Sequence, residues 1–213
     1  LMELEYREHP ILKPPSDEEQ LWMLENDQEA YLQSIQLHND RIEASVVDPV
    51  YNSFVLPQQE KVRDLLLEDH IDEAWVLGGN RSGKSRSAAW LVMRALMENP
   101  NTEVICWSQN EDASVERQQP YLWEMMPQEY KKKQKDEVAK INYSKATGFT
   151  GNKFILPNGS VCYFKFYTQF QNDDSVIEGA KLGAPKKECR FINIGTWCDE
   201  YLGDETLLKR LRS

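Results

Sequence analysis

The chain has 213 residues, a formal net charge of −10 and 40% hydrophobic residues, so it can bury a substantial core as one domain or as a domain with an extension. Its negative charge argues against a protein that coats nucleic acid non-specifically. Its four cysteines are widely spaced without a C-x-x-C pair, and no apolar run approaches the length of a membrane span. These features exclude a zinc-finger pattern, a disulfide framework and a membrane helix, and we expect a soluble protein with reduced cysteines.

The N-terminal segment, residues 1–50, carries almost all of the net charge. It holds twelve acidic and three basic residues, whereas the rest of the chain is nearly neutral. Ser16 and Glu19 form a capping box that predicts the start of a helix, and Asp48-Pro49 ends the helical pattern. We interpret the segment as a largely helical acidic extension. A solvated acidic helix with no partner of its own is the alternative.

A short helix is predicted after Pro57, with Gln58 and Gln59 in its first turn. A glutamine amide carries both a donor and an acceptor, so it could read the edge of an adenine, which presents one of each. The alternative is a polar helix start without a ligand.

A glycine-rich loop at residues 78–85 fits the phosphate-binding pattern G-x-x-x-x-G-K-[ST]. Gly78 and Gly83 let the backbone turn its N–H groups inward around an anion. Lys84 would neutralise the β- and γ-phosphates of a nucleotide, and the Ser85 hydroxyl would bind Mg²⁺. The apolar run 74–77 predicts a buried strand before the loop, and residues 85–98 have the apolar spacing of a helix. This context favours a nucleotide site over a glycine-rich turn with an exposed lysine.

The elements after this helix begin with a second strand at residues 103–107. Residues 110–126 predict a helix that Pro120 breaks. Four lysines then form the densest basic patch of the chain: Lys131, Lys132, Lys133 and Lys135. Clustered lysines suit a nucleic-acid backbone and equally suit a solvated loop.

A β-hairpin is predicted where Asn158-Gly159 separates residues 154–156 from the β-rich run 161–170. The aromatic residues of the second run are interpreted as core and sheet faces: Tyr163, Phe164, Phe166 and Tyr167. A platform that stacks nucleic-acid bases is the alternative.

A mostly apolar strand is predicted over residues 190–198, and two consecutive carboxylates end it. Asp199 is placed to hold Mg²⁺, and Glu200, one step further, is placed to polarise an attacking water. An Asp-Glu pair taken alone is most often a surface pair, but the phosphate-binding loop strengthens the catalytic interpretation.

With GGNRSGKS and FINIGTWCDE together, residues 51–213 resemble the ATPase domain of viral large terminases, the motors that package double-stranded DNA. A Pro-x-Gln segment, Pro57 and Gln59, lies where that family carries its adenine-recognition glutamine. The resemblance implies an α/β fold of the P-loop NTPase class, of the additional-strand (ASCE) type, with a mostly parallel sheet sandwiched between helices. It divides the chain into the extension 1–50 and an ATPase domain 51–213.

The resemblance also implies roles for the matching residues, with ATP and Mg²⁺ as cofactors. Asp199 and Ser85 would hold the metal, Glu200 would activate water, and Arg81 would sense or stabilise the γ-phosphate. The residues expected to bind the nucleotide are Gly78, Gly79, Asn80, Arg81, Ser82, Gly83, Lys84, Ser85 and Gln59.

The family's wider biology sets the expected partners: double-stranded DNA held by its backbone, a homo-oligomeric ring on a portal protein, and the small terminase subunit. The expected location is the host cell cytoplasm. The family's coupling motif and C-terminal nuclease domain have no convincing counterpart here, so we interpret the chain as an ATPase fragment and assign no nuclease site. A helicase-like or other additional-strand ATPase and a non-hydrolysing ATP-binding assembly module are the alternatives.

Overall fold

The fold was analysed in a computed structural model, which describes residues 17–53, 57–68, 73–77, 82–133, 140–172, 182–183 and 192–199. The helices in this part of the chain are α1 (Asp17–Asn26), α2 (Gln28–Val47), α3 (Pro49–Asn52), α4 (Pro57–Leu66), α5 (Lys84–Glu98), α6 (Glu111–Ala113), a π-helix (Ser114–Gln118), α7 (Gln119–Met125), a 3-10 turn (Thr150–Asn152) and α8 (Tyr167–Asn172). The strands are β1 (Glu103–Ser108), β2 (Tyr143–Ser144), β3 (Gly148–Phe149), β4 (Lys153–Ile155), β5 (Val161–Phe166) and β6 (Thr196–Cys198). None of the described helices is long and apolar enough to cross a membrane.

The main sheet has four described strands in the order β4-β5-β1-β6. β5 and β6 both run parallel to β1, while β4 pairs antiparallel with β5 through the predicted Asn158-Gly159 hairpin. Alternate residues of β1 face opposite sides, as a strand requires. Val104 and Cys106 join the cluster that includes α5 and α7, whereas Ile105 and Trp107 join the cluster with α8. The expected mixed α/β fold with a mostly parallel sheet is therefore confirmed.

Helix α5 supplies much of the larger core and confirms the helix predicted over residues 85–98. Over half of its fifteen residues are buried, in an apolar face broad enough to cover the sheet. They are Ser87, Ala89, Trp90, Leu91, Val92, Met93, Ala95 and Leu96. The helix ends at Asn99, whose side-chain amide donates to the Ala95 and Ile192 carbonyls and so ties this end to the segment that precedes β6.

Residues 74–77 do not form the predicted buried strand. The run has no strand geometry, and its side chains lie in solvent, with Trp75 58% and Leu77 89% exposed. A strand becomes buried when neighbours pair with its backbone. Among the described strands, β1 is already paired on both edges by β5 and β6, and β5 is paired by β4 and β1. The apolar run 74–77 is not paired with any of the described strands.

The prediction that Pro120 breaks the helix of residues 110–126 is wrong. The chain stays helical from Glu111 to Met125, changes to π geometry at Ser114–Gln118, and places Pro120 in the first turn of α7. Proline lacks an N–H and crowds the carbonyl four residues earlier. The wider π turn just before Pro120 accommodates both effects, so the helix continues.

The N-terminal helices join the core through α3. Helix α2 ends at Val47, as the Asp48-Pro49 signal predicts, and the Asp48 carboxylate accepts hydrogen bonds from the first N–H groups of α3. The Trp90 indole on α5 donates to the Val50 carbonyl at 2.8 Å. The Arg94 guanidinium lies 4.7 Å from the centre of the Tyr51 ring. The division between an extension and an ATPase domain at residue 50 stays a prediction.

Candidate active site

The described end of the glycine loop leads directly into α5. Gly83 is the N-cap of the helix with φ +81°, a left-handed conformation that favours glycine, and no side chain caps the helix start. The first N–H groups of an α-helix have no partner within the helix, and their dipole favours negative charge. The start of α5 therefore has the features of a phosphate-binding position.

Lys84 and Ser85 are the first two residues of α5, and both side chains are half-buried. The Lys84 ammonium lies 3.4 Å from the Ser82 hydroxyl, within hydrogen-bond reach. This places the cation at the mouth of the loop that the sequence assigns to phosphates. The remaining loop residues, Gly78, Gly79, Asn80 and Arg81, lie outside the described part of the chain.

Gln59 on α4 lies against the same loop, although 24 positions of sequence separate it from Gly83. Its side chain is 7% exposed. A Cβ atom added to Gly83 would lie 3.7 Å from the Gln59 amide nitrogen. The structure thus brings the predicted adenine-reading glutamine and the phosphate-binding loop together. The adenine role itself stays a prediction.

Asp199 follows β6 at the carboxyl end of the parallel strands, and it is half-buried. Of the strand predicted over residues 190–198, the described part begins at residue 192, and within it only Thr196–Cys198 is a strand. The Asp199 N–H donates to the Trp107 carbonyl on β1 at 2.9 Å. Glu200 lies outside the described residues.

The start of α5 and the end of β6 share one edge of the sheet because of the chain's connectivity. A connection of four residues joins α5 to β1, so the helix runs back along the strand and its first residues lie at the strand's carboxyl end. The Asn99 bond to Ile192 fixes the other end of α5 near the amino end of the sheet. Ligands of open α/β sheets bind at the carboxyl edge, the edge to which this connectivity assigns Lys84, Ser85 and Asp199.

The oxygen donors at this edge fit Mg²⁺ in the presence of phosphates. Mg²⁺ is commonly held by one or two carboxylates together with substrate phosphates and water. Ser85 supplies a hydroxyl and Asp199 a carboxylate. Across the described ranges, no group of three or more His, Cys, Asp or Glu residues is placed to hold a metal by itself. A hydroxyl and a carboxylate are oxygen ligands of the kind that Mg²⁺ accepts alongside phosphates and water.

The sequence did not predict the hydrogen bonds of two side chains at this edge. The Tyr167 hydroxyl donates to the Asp199 carbonyl at 3.0 Å, and the Gln118 amide donates to the Trp107 carbonyl at 3.2 Å. Tyr167 was assigned only to a sheet face or the core, since nothing in the local pattern marks its hydroxyl. The π-helix that carries Gln118 has no sequence signature except the proline after it.

The thiols near Asp199 are protonated at neutral pH. Burial raises the pKa of Cys198 to about 11 and raises the pKa of Cys106 well above its usual range. Cys106, Cys162 and Cys198 are all free cysteines. A thiolate is the nucleophilic form, so Cys106 and Cys198 are suited to packing rather than to chemistry at this edge.

The predicted lysine patch divides between a buried cation and more exposed ones. Lys131 is 8% exposed with its ammonium 5.1 Å from the centre of the Trp123 ring, and burial lowers its pKa. Lys132 is half-buried and Lys133 is exposed, while Lys135 lies outside the described residues. A parallel bridge between Lys131 and Ile141 brings Lys140 beside this group. We call Lys131, Lys132, Lys133 and Lys140 the basic lobe.

Comparison with known families gives one match. The model of the family described as "Terminase large subunit, T4likevirus-type, N-terminal" matches residues 75–181, half of the chain. The matched stretch contains the glycine loop, α5 and the basic lobe, whereas Gln59 and Asp199 lie outside it. No curated protein and no solved structure matches the chain.

Proposed function

Because the chain belongs to the N-terminal family of T4likevirus-type terminase large subunits, we propose that it is an ATP-hydrolysing motor that drives double-stranded DNA into a procapsid. One observation carries the proposal. The start of α5, with Lys84 and Ser85, and Asp199 after β6 lie at the same edge of a mostly parallel sheet. A cation, a hydroxyl and a carboxylate around a helix start are the groups that phosphoryl transfer requires.

Each residue has a distinct part in the proposed reaction. The Lys84 ammonium and the N–H groups at the start of α5 hold the β- and γ-phosphates and withdraw charge from them. Ser85 and Asp199 hold Mg²⁺, which when bound neutralises the charge that develops on the phosphates. Gln59 recognises the adenine from α4.

The water that attacks the γ-phosphate is activated by Glu200 as general base. Arg81, or an arginine from a neighbouring subunit, stabilises the charge of the transition state. Glu200 follows Asp199 directly, so the metal-binding and base functions come from adjacent carboxylates at one strand end. The two need not compete, because consecutive side chains at a strand end point in different directions, so one can serve the metal and the other the water.

The proposed partners follow from the family. Double-stranded DNA is contacted through its backbone phosphates, which suits a motor that moves along every sequence. The more exposed lysines of the basic lobe, Lys132, Lys133 and Lys140, supply cations for such a contact, whereas Lys131 is buried against Trp123. In the working motor the subunits form a homo-oligomeric ring on the portal protein, together with the small terminase subunit, in the host cell cytoplasm.

Lys84→Ala tests the proposal. Loss of the ammonium removes a charge that binds the phosphates, so we expect ATP affinity to fall at least about tenfold and Mg²⁺-dependent turnover to disappear. Lys153→Ala, which removes an exposed lysine from β4, is the matched control and should leave both quantities unchanged. ATP binding by calorimetry and phosphate release at saturating ATP are the measurements.

The outcomes of these measurements discriminate between the candidate functions. Unchanged affinity and rate in Lys84→Ala would refute the phosphate-binding loop. Tight ATP binding without turnover in the wild type would favour the non-hydrolysing assembly module. Turnover coupled to unwinding of a DNA duplex would favour the helicase-like ATPase, whereas stimulation by duplex DNA without unwinding supports the terminase motor.

A further inference from the structure

The packing of its aromatic ring fixes the orientation of the Tyr167 side chain. Tyr167 is the first residue of α8, immediately after β5, and is 8% exposed. Its ring stacks on the Trp107 ring at 6.1 Å between centroids with 11° between the planes. Phe170 meets the same indole edge-on at 6.3 Å. Aromatic pairs in these arrangements hold each other's orientation, so the hydroxyl is aimed by packing.

The hydroxyl of Tyr167 is aimed at the main chain of Asp199. It donates to the Asp199 carbonyl at 3.0 Å, while the Asp199 N–H donates to the Trp107 carbonyl at 2.9 Å. Both main-chain polar groups of Asp199 are therefore bound, and both bonds lead back to the stacked Trp107 and Tyr167 pair. The Gln118 amide donates to the same Trp107 carbonyl and gives a third hydrogen bond between these groups.

The end of β6 needs such support. The strand has three residues and pairs only with β1 among the described strands. The ladder ends with Cys198 opposite Trp107, one position before Asp199. A carboxylate that binds a metal must be held to within about half an ångström by groups around it. Among the described contacts of Asp199, the Trp107 carbonyl of β1 accepts one main-chain hydrogen bond and the Tyr167 hydroxyl donates another.

We propose that Tyr167 is a positioning residue of the ATPase site, whose hydroxyl holds the Asp199 main chain in place for metal binding and hydrolysis. The proposal rests on the proposed function. The bond is made to the Asp199 carbonyl, so it constrains the main chain at the position from which the metal-binding side chain extends. Tyr167 itself touches neither substrate nor metal in this account.

Tyr167→Phe removes the hydroxyl and keeps the ring that stacks on Trp107. We expect kcat for ATP hydrolysis to fall about five- to tenfold, because the bond that holds the Asp199 main chain is lost. The dissociation constant for ATP should change less than about twofold, since Lys84 and the start of α5 bind the phosphates. Tyr163→Phe is the matched control, because Tyr163 lies on β5 against the same aromatic cluster, and its kcat should equal that of the wild type.

A double variant identifies the route by which Tyr167 acts. In an Asp199→Asn background, Tyr167→Phe should cause no further loss of rate, since residues that act as a unit have non-additive effects. An unchanged kcat in Tyr167→Phe, or equal losses of kcat in Tyr167→Phe and Tyr163→Phe, would overturn the proposal. Loss of ATP affinity together with kcat, or an unfolded Tyr167→Phe protein, would make Tyr167 a structural residue and overturn it as well. A wild type that does not hydrolyse ATP would instead refute the proposed function.

Discussion

Helices α2 and α5 are both long, yet they differ in almost every packing property. Helix α2 has twenty residues and buries none of them, whereas α5 has fifteen residues and buries eight. The large aliphatic residues of α2 are exposed, with Leu32 65% and Ile35 40% exposed. A helix therefore stabilises the fold only when its apolar residues form one face and that face packs against another element.

The two helices are stabilised by different interactions. Helix α2 depends on local bonds, among them the Asp27 carboxylate that caps its first turn. Helix α5 has no side-chain cap at its start, and its stability comes from burial against the sheet. An uncapped start is the feature that a phosphate-binding helix requires, because a capping side chain would occupy the N–H groups. The functional helix is thus stabilised along its length and left open at its first turn.

The largest expected difference between the two helices is in core stability. Leu96→Ala on α5 removes a fully buried side chain and leaves a cavity, so we expect the free energy of unfolding to fall by about 2–5 kcal/mol. Leu32→Ala on α2 removes a side chain that is mostly in water, and the change should stay within about 0.5 kcal/mol. Urea denaturation of both variants measures the difference. Similar losses would mean that α2 is packed in solution, contrary to this account.

A smaller difference is expected at the start of α5. Gly83→Ala places a side chain at φ +81°, which costs about 1–2 kcal/mol of stability. Gly151→Ala is the matched control, because Gly151 has φ +69° and no neighbouring atom within 4 Å of an added Cβ. Both variants should lose similar stability, but only Gly83→Ala should weaken ATP binding. Equal ATP affinities in the two variants would show that the Gly83 conformation does not serve the nucleotide.

The elements with a strong local pattern were predicted from the sequence. The apolar spacing of α5 and the Asn158-Gly159 turn each depend on residues close together in the chain, and both are present in the structure. Membership of the terminase family, inferred from the glycine loop and the Asp-Glu pair, is confirmed by the family match. Proximity of Gln59 to Gly83 followed from the same resemblance.

Two features that sequence reasoning did not predict correctly depend on distant partners. Residues 74–77 have the composition of a buried strand, but burial requires neighbouring strands, and composition does not specify them. The support of Asp199 by Tyr167 joins positions 32 residues apart through one hydroxyl. Such a contact leaves no trace in spacing or hydropathy, and a phenylalanine would look the same in the pattern. Tertiary geometry is needed to find it.

The proposed function requires that the chain hydrolyses ATP with Glu200 as the general base. Steady-state hydrolysis by the wild type and by Glu200→Gln, with Mg²⁺ present and ATP binding measured in parallel, tests it most directly. We predict turnover in the wild type and a fall of roughly hundredfold or more in the variant, because general-base catalysis contributes at least that much, with ATP binding retained in both. Equal turnover in the two proteins, or ATP binding without turnover in either, would contradict the account.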